Sequence, residues 1–150
     1  MPNETFAWLT RIREVEREYH SAQWATRYGL QAAQADPAVL ALLDLRVRDI
    51  RNAADRLQGT YIIRLFAQFE AALRAFIAAQ AKRQPRWAEQ LIDRVGNLGR
   101  IPPDMRGKAH TVREYRNSLV HVNAQAVEPL TMREATSRLC TFLDPLKKMW

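Results

Sequence analysis

The chain has 150 residues, of which 47% are hydrophobic and 26% charged, as is typical of a single soluble domain with its own core. Its net charge of +7 comes almost entirely from arginine, which favours a polyanionic partner but is equally typical of a well-solvated helical surface. The single cysteine, Cys140, excludes an internal disulfide framework, and no apolar run reaches the roughly 18 residues of a membrane span. Because the N-terminal residues are acidic and lack an apolar signal segment, we expect a cytoplasmic protein with one domain over residues 1–150.

The first half of the chain predicts two or three helices. Asn3 or Thr5 can cap the first helix, and Gly29 is its expected end. The apolar stripe of this helix consists of Trp8, Ile12, Val15 and Tyr19. Asp36-Pro37 predicts the start of a second helix, with an N-cap residue followed by proline at the first helical position. Its stripe consists of Leu40, Leu43, Val47, Ile50, Ala54 and Leu57. Gly59 interrupts the stripe, and the pattern leaves open whether the helix ends there or continues to Ala81.

The segment 60–82 has the strongest helical periodicity. Its apolar stripe consists of Ile62, Phe66, Phe69, Leu73 and Phe76, with Ile63 and Ile77 widening the face. This pattern predicts the central helix of a bundle. Glu70 lies on the edge of the face with Arg74 one turn later, and the simplest interpretation of the two is an exposed ion pair at i,i+4 spacing.

Three further helices are predicted in the second half. Pro85 and Gly96 bracket a short helix with Trp87, Leu91 and Val95 facing inward, followed by a loop over residues 97–103. The next helix runs from Pro103 to about Val122. Thr131 and Glu134 form a capping box before the last helix, which Pro145 should kink. The residues that we expect this helix to bury are Ala135, Leu139, Phe142, Leu146 and Met149, with Cys140 beside them. No segment alternates like a strand, so we expect an all-α antiparallel bundle of five or six helices.

The helix 103–122 has two distinct faces when its residues are placed at about 100° intervals. One face is an apolar stripe that we assign to the core, formed by Val112, Tyr115, Leu119 and Val122. The neighbouring flank is cationic and polar, and consists of Arg113, Arg116, Asn117, Val120 and His121. A purely solvated face does not require this pattern, whereas a face that meets a phosphate or a second copy of the helix does.

The residues that could support catalysis are few. The spacing of the histidines and of Cys140 does not indicate a metal site, and phosphate-loop and dinucleotide motifs are absent, so we expect no metal and no cofactor. His121 has the densest polar surroundings of the histidines, and an imidazole can transfer a proton near neutral pH. Arg116 can stabilise charge on a phosphate. Together they suit metal-free cleavage of RNA by the ribose 2′-OH. Because arginine is abundant here, the bare Arg-x4-His spacing is also compatible with an ordinary bundle helix.

Residues 116–121 (RNSLVH), preceded by 112–115 (VREY), resemble the RxxxxH motif of the HEPN superfamily. Residues 64–77 (RLFAQFEAALRAFI) resemble the helix that lies against the motif helix in many prokaryotic members, and the resemblance extends over about residues 43–121. It implies a helical bundle that forms a homodimer across the motif helix, so that two motifs build one composite site. It also implies a metal-independent endoribonuclease that leaves 2′,3′-cyclic phosphate ends, in a toxin–antitoxin or anti-phage (abortive infection) system.

By position, the resemblance gives Arg116 the role of binding the phosphate and His121 that of general acid or base. Asn117 would fix the local hydrogen bonds, Glu70 matches an acidic accessory residue, and Arg113 is a candidate RNA contact. The implied partners are RNA, a second copy of the chain and an antitoxin protein, with no membrane.

One feature of the sequence departs from the family pattern, and two other functions remain open. Members modified by a nucleotidyltransferase antitoxin have a tyrosine two residues after the motif histidine, where this chain has Asn123, so regulation by adenylylation is not expected. The alternative is a catalytically inactive HEPN-like module that binds RNA or a protein. A third possibility is a helical dimerisation domain with no role in nucleic-acid binding.

Overall fold

A computed structural model describes residues 4–150, of which 78% are helical, and the expected helical bundle is confirmed. No strand occurs in that range. The helices, in chain order, are α1 Glu4–Ala35, α2 Ala38–Ala41, α3 Val47–Ala79, α4 Ala88–Leu98, α5 Pro103–Val120 and α6 Met132–Leu143, followed by a short 3-10 helix, Asp144–Lys148. None of the described helices has both the length and the apolar character needed to cross a membrane. Of the two predicted caps for α1, Asn3 lies outside the described residues and Thr5 is buried inside the helix.

Helix α3 is the centre of the core. It packs against α1, α4, α5 and α6. Its fully buried side chains follow the predicted stripe and widen it: Ile62, Leu65, Phe66, Phe69, Ala72, Leu73, Phe76 and Ile77. Phe69 meets Phe142 of α6 edge to face, with ring centroids 5.4 Å apart. One amphipathic helix thus supplies a buried surface for four others, as its periodicity indicates.

Gly59 lies inside α3, which settles the question that the sequence left open. A Cβ atom at this position would lie 3.3 Å from Leu119 Cδ2. The missing side chain therefore lets the last turn of α5 approach the backbone of α3 closely.

The second predicted helix is wrong in its bounds. Helix α1 continues through Gly29 to Ala35, and the helix expected from Asp36 is the single turn of α2. The backbone leaves the helical conformation at Asp44, whose φ is 52°. Helix α3 then begins at Val47, where the Asp49 carboxylate accepts a hydrogen bond from the Arg46 amide over 2.8 Å. Leu43, assigned to the stripe, is exposed as a result.

The C-terminal half of α1 and the N-terminal half of α3 form a two-helix arm, residues 20–56, whose side chains are mostly exposed. Within this arm Ala33 and Leu40 are the only buried residues. The base of the arm is joined to the bundle by Gln58, whose side-chain amide donates to the Leu130 carbonyl oxygen over 3.4 Å and whose Oε1 accepts from the Met132 amide over 3.3 Å. Most of the apolar burial is therefore confined to one end of α1 and α3.

Several side chains at element ends also differ from the prediction. Trp87 precedes α4 instead of lying inside it and is 60% exposed, whereas Leu91 and Val95 are buried as expected. Helix α4 continues through Gly96 to Leu98, which shortens the predicted loop 97–103.

The last helix changes character near Pro145, where the α-helix ends and the 3-10 helix begins, in agreement with the predicted kink. Met149 lies beyond this change and is exposed, and Cys140 is only partly buried. The capping box of Thr131 and Glu134 is present as predicted.

Gly99 lies where the α4–α5 connection packs closely against the 3-10 helix. A Cβ there would lie 2.5 Å from Leu146 Cδ2 and 3.2 Å from the Val95 carbonyl oxygen. Because Leu146 is fully buried, we expect Gly99→Ala to destabilise the fold by about 1–3 kcal/mol in urea unfolding. Gly29→Ala is the control, since nothing lies within 4 Å of its Cβ position, and should stabilise the fold by up to about 1 kcal/mol. Similar effects of both changes would contradict this packing.

Candidate functional site

The motif helix α5 begins at Pro103, as predicted, but ends at Val120. Val112 and Tyr115 are buried, whereas Leu119 is 38% exposed and Val122 is fully exposed. The assignment of the last two to the core is therefore wrong. The helix stops before Val122, and Leu119 lies at the partly open contact with α3 at Gly59.

Arg116 lies on the side of α5 that faces α3. Its guanidinium carbon is 4.9 Å from the centroid of the Phe66 ring, and its Nη1 donates to Asn117 Oδ1 over 3.0 Å. Its Nη2 lies 3.6 Å from Glu70 Oε2. Three of the predicted site residues, Arg116, Asn117 and Glu70, are thus brought together.

Glu70 is shared between two arginines. Its Oε1 accepts hydrogen bonds from Arg74 Nη2 over 2.7 Å and Arg74 Nε over 3.3 Å. The predicted pair with Arg74 is confirmed, but its carboxylate also faces Arg116 and its side chain is only 25% exposed. One carboxylate between two guanidinium groups leaves an excess positive charge, which favours an anion in contact with them.

Arg74 extends this set of contacts to the connection between α3 and α4. It donates to the carbonyl oxygens of Pro85 and Arg86 over 3.1 and 3.2 Å. In return, Gln84 Nε2 donates to the Arg74 carbonyl oxygen over 3.3 Å. We call Arg116, Glu70 and Arg74 the arginine network.

Arg113 lies outside the arginine network and faces α4. Its Nη1 is 3.3 Å from Glu89 Oε2 and its Nη2 is 3.6 Å from Glu114 Oε1. One helical turn earlier, His110 Nε2 lies 2.8 Å from Asp93 Oδ1. The geometry of Arg113 is therefore that of an ion pair between helices.

His121 follows the last residue of α5 with an extended backbone, φ −112° and ψ 120°. Its amide donates to the Asn117 carbonyl oxygen over 3.0 Å, which ties it to the helix end. Its imidazole is exposed, and within residues 4–150 it has no hydrogen-bond or ion-pair partner. One chain therefore does not bring His121 into contact with Arg116.

Tyr115, between Val112 and Leu119 on the same helix, is buried against the core. Burial raises the pKa of its phenol above the usual value. The group therefore stays protonated at neutral pH and does not act as a base there.

Sequence reasoning missed Phe66 as a partner of Arg116 and Arg74 as the link to the α3–α4 connection. The signal was present, because Phe66, Glu70 and Arg74 follow one another at intervals of four residues and so share one edge of α3. The pattern does not show which neighbouring helix contacts this edge.

Comparisons with protein-family models, with curated proteins and with solved structures find no match for this chain. Within residues 4–150 no three His, Cys, Asp or Glu side chains are grouped so that they could hold a metal ion.

The shared carboxylate predicts a measurable effect on stability. In Glu70→Gln the two guanidinium groups of Arg74 and Arg116 lose their common counter-charge, so we expect a loss of about 1–2 kcal/mol in urea unfolding. The matched control is Glu89→Gln, which removes a carboxylate that is 61% exposed and should change stability by less than about 0.5 kcal/mol. Equal effects would show that the arginine network does not stabilise the fold.

Proposed function

We propose that this protein is a metal-independent endoribonuclease of the HEPN type, acting as a homodimer in a toxin–antitoxin or anti-phage (abortive infection) system. The observation that carries the proposal is the position of Arg116, the first residue of the RxxxxH motif. Phe66, Glu70 and Asn117 hold its guanidinium, and the surrounding charge remains positive. A fixed cation of this kind is what a phosphate needs as negative charge develops on it.

The reaction would proceed by attack of a ribose 2′-OH on the adjacent phosphorus. The bond from phosphorus to the 5′-oxygen breaks, and the products are a 2′,3′-cyclic phosphate and a free 5′-OH. Arg116 would stabilise the charge on the non-bridging phosphate oxygens. His121 would transfer a proton, either taking it from the 2′-OH or giving it to the leaving 5′-oxygen. Asn117 supports both residues, since its side chain contacts Arg116 and its carbonyl oxygen accepts from the His121 amide.

A second copy of the chain would complete the site. The end of the motif helix carries the exposed apolar side chains of Leu119, Val120 and Val122, beside His121. A two-fold pairing of these ends would bury the apolar side chains and place His121 of each copy near Arg116 of the other. This arrangement explains why His121 lacks an intramolecular partner.

The direct test is incubation of the purified protein with single-stranded RNA in EDTA. We expect cleavage that falls by at least about 100-fold in His121→Ala and in Arg116→Ala, because each variant removes a group acting in the transition state. His20→Ala is the control, since it removes another exposed imidazole, on α1, and should retain full activity. Cleavage that persists in both site variants, or that requires a divalent metal ion, would contradict the proposal.

The dimer gives a separate prediction. Val122→Asp places a charge on the apolar end of α5, and we expect it to turn a dimer into a monomer in sedimentation and to reduce cleavage at the same protein concentration. Leu42→Asp introduces the same charge at a leucine that is 90% exposed on the arm, and should leave the dimer intact. A wild-type protein that is monomeric while it cleaves RNA would contradict the composite site.

A second candidate function is a catalytically inactive HEPN-like module that binds RNA or a protein. The observation that favours it is the free imidazole of His121, because catalytic histidines are usually oriented by another group. It predicts salt-sensitive RNA binding that His121→Ala leaves unchanged, together with no cleavage of any RNA.

A further inference from the structure

Helix α4 uses its acidic side chains against α5. Glu89 and Asp93, one turn apart, pair with Arg113 and His110 of α5. Both carboxylates of this turn therefore contact α5, while the Asp93 side chain remains 57% exposed.

The basic side chains of this region lie around a cleft between the α3–α4 connection and α4. The cleft has a volume of about 730 Å³. Its cationic lining residues are Lys82, Arg83, Arg86 and Arg94, and Asp93 is the one acidic residue of the lining. In the described part of the chain, no carboxylate forms an ion pair with any of these four side chains. We call this surface the basic cleft, and its charge is available to a polyanion.

A large aromatic side chain lies next to the basic cleft. Trp87 directly follows Arg86 and is 60% exposed. The guanidinium carbon of Arg86 lies 4.9 Å from the centroid of the Trp87 ring. Because Trp87 is the N-cap residue of α4, its backbone is fixed by the start of the helix while its indole remains accessible.

The basic cleft is connected to the arginine network through Arg74. The Arg74 guanidinium contacts the carbonyl oxygens of Pro85 and Arg86 and also Glu70, which in turn faces Arg116. One arginine therefore links the loop that carries the basic cleft to the side chains around Arg116.

We propose that the basic cleft binds the backbone of single-stranded RNA and that Trp87 stacks on one of its unpaired bases. A positive groove beside an exposed aromatic ring is the usual means of binding single strands without sequence preference. A duplex keeps its bases stacked inside and offers none to Trp87. Because it assigns a substrate-binding surface, this inference rests on the proposed ribonuclease function. The basic cleft would hold the RNA that flanks the cleaved phosphate.

The test measures binding of the full chain to a labelled single strand of 2′-O-methyl RNA, which lacks the attacking hydroxyl. Fluorescence anisotropy at several salt concentrations gives both affinity and its salt dependence. Trp87→Ala should weaken binding by about 5- to 100-fold through loss of stacking. Arg83→Gln/Arg86→Gln should weaken binding and lower the slope of log K against log salt by about 1.4, which corresponds to two lost phosphate contacts.

Matched controls lie on the arm. Trp24→Ala removes a tryptophan that is 71% exposed, and Arg27→Gln/Arg51→Gln removes the same charge as the cleft variant. Both should bind like the wild type. The inference is overturned if the controls weaken binding as much as the cleft variants, if the cleft variants bind like the wild type, or if duplex RNA binds as tightly as the single strand.

The same experiment separates the inference from the proposed function. Wild-type cleavage of unmodified RNA, with normal binding by both cleft variants, overturns the basic cleft and leaves the ribonuclease proposal standing. Binding that is lost in the cleft variants, without cleavage by the wild type, supports the basic cleft and contradicts the ribonuclease proposal.

Discussion

The packing of α3 against four other helices is the interaction on which the rest of the structure depends. The buried face that extends from Ile62 to Ile77 fixes the rotation of α3, and this rotation determines which side chains lie at its edge. Phe66 belongs both to the buried face and to the edge of α3, since it is fully buried and its ring also lies beneath Arg116. A shift of α3 by one residue would turn this edge by about 100° and separate Glu70 from Arg116.

The contacts of Arg116 compensate for the water that its guanidinium has lost, in addition to pairing it with an opposite charge. A guanidinium over an aromatic ring has lost part of its water, and it is stable there because Glu70 and Asn117 replace that water. Glu70 also serves Arg74, so neither arginine is fully neutralised. The same contacts that stabilise the fold therefore maintain a positive site, with its guanidinium held in one orientation.

Periodicity was sufficient for the fold class, whereas the grouping of Glu70 with Arg116 and Asn117 was expected only from the resemblance to a known family, because spacing alone predicted the pair of Glu70 with Arg74. The errors lie at the ends of elements, as with Leu119, Val122 and Trp87. Periodicity assigns a side chain to a face, but it does not show where the helix stops or whether another helix covers that face.

Arg113 and Arg116 illustrate a second limit of the sequence. Both lie on one flank of α5, yet Arg113 pairs with Glu89 of α4 and Arg116 with Glu70 of α3. Only the placement of the neighbouring helices distinguishes them.

The two-helix arm can open locally at a small cost in free energy. Separating its two helices exposes little apolar surface and breaks few contacts with the bundle, because Ala33 and Leu40 are its only buried residues. The molecule therefore consists of two units of unequal cohesion, in which the backbone amides of the arm exchange with solvent through local opening well before those of the bundle.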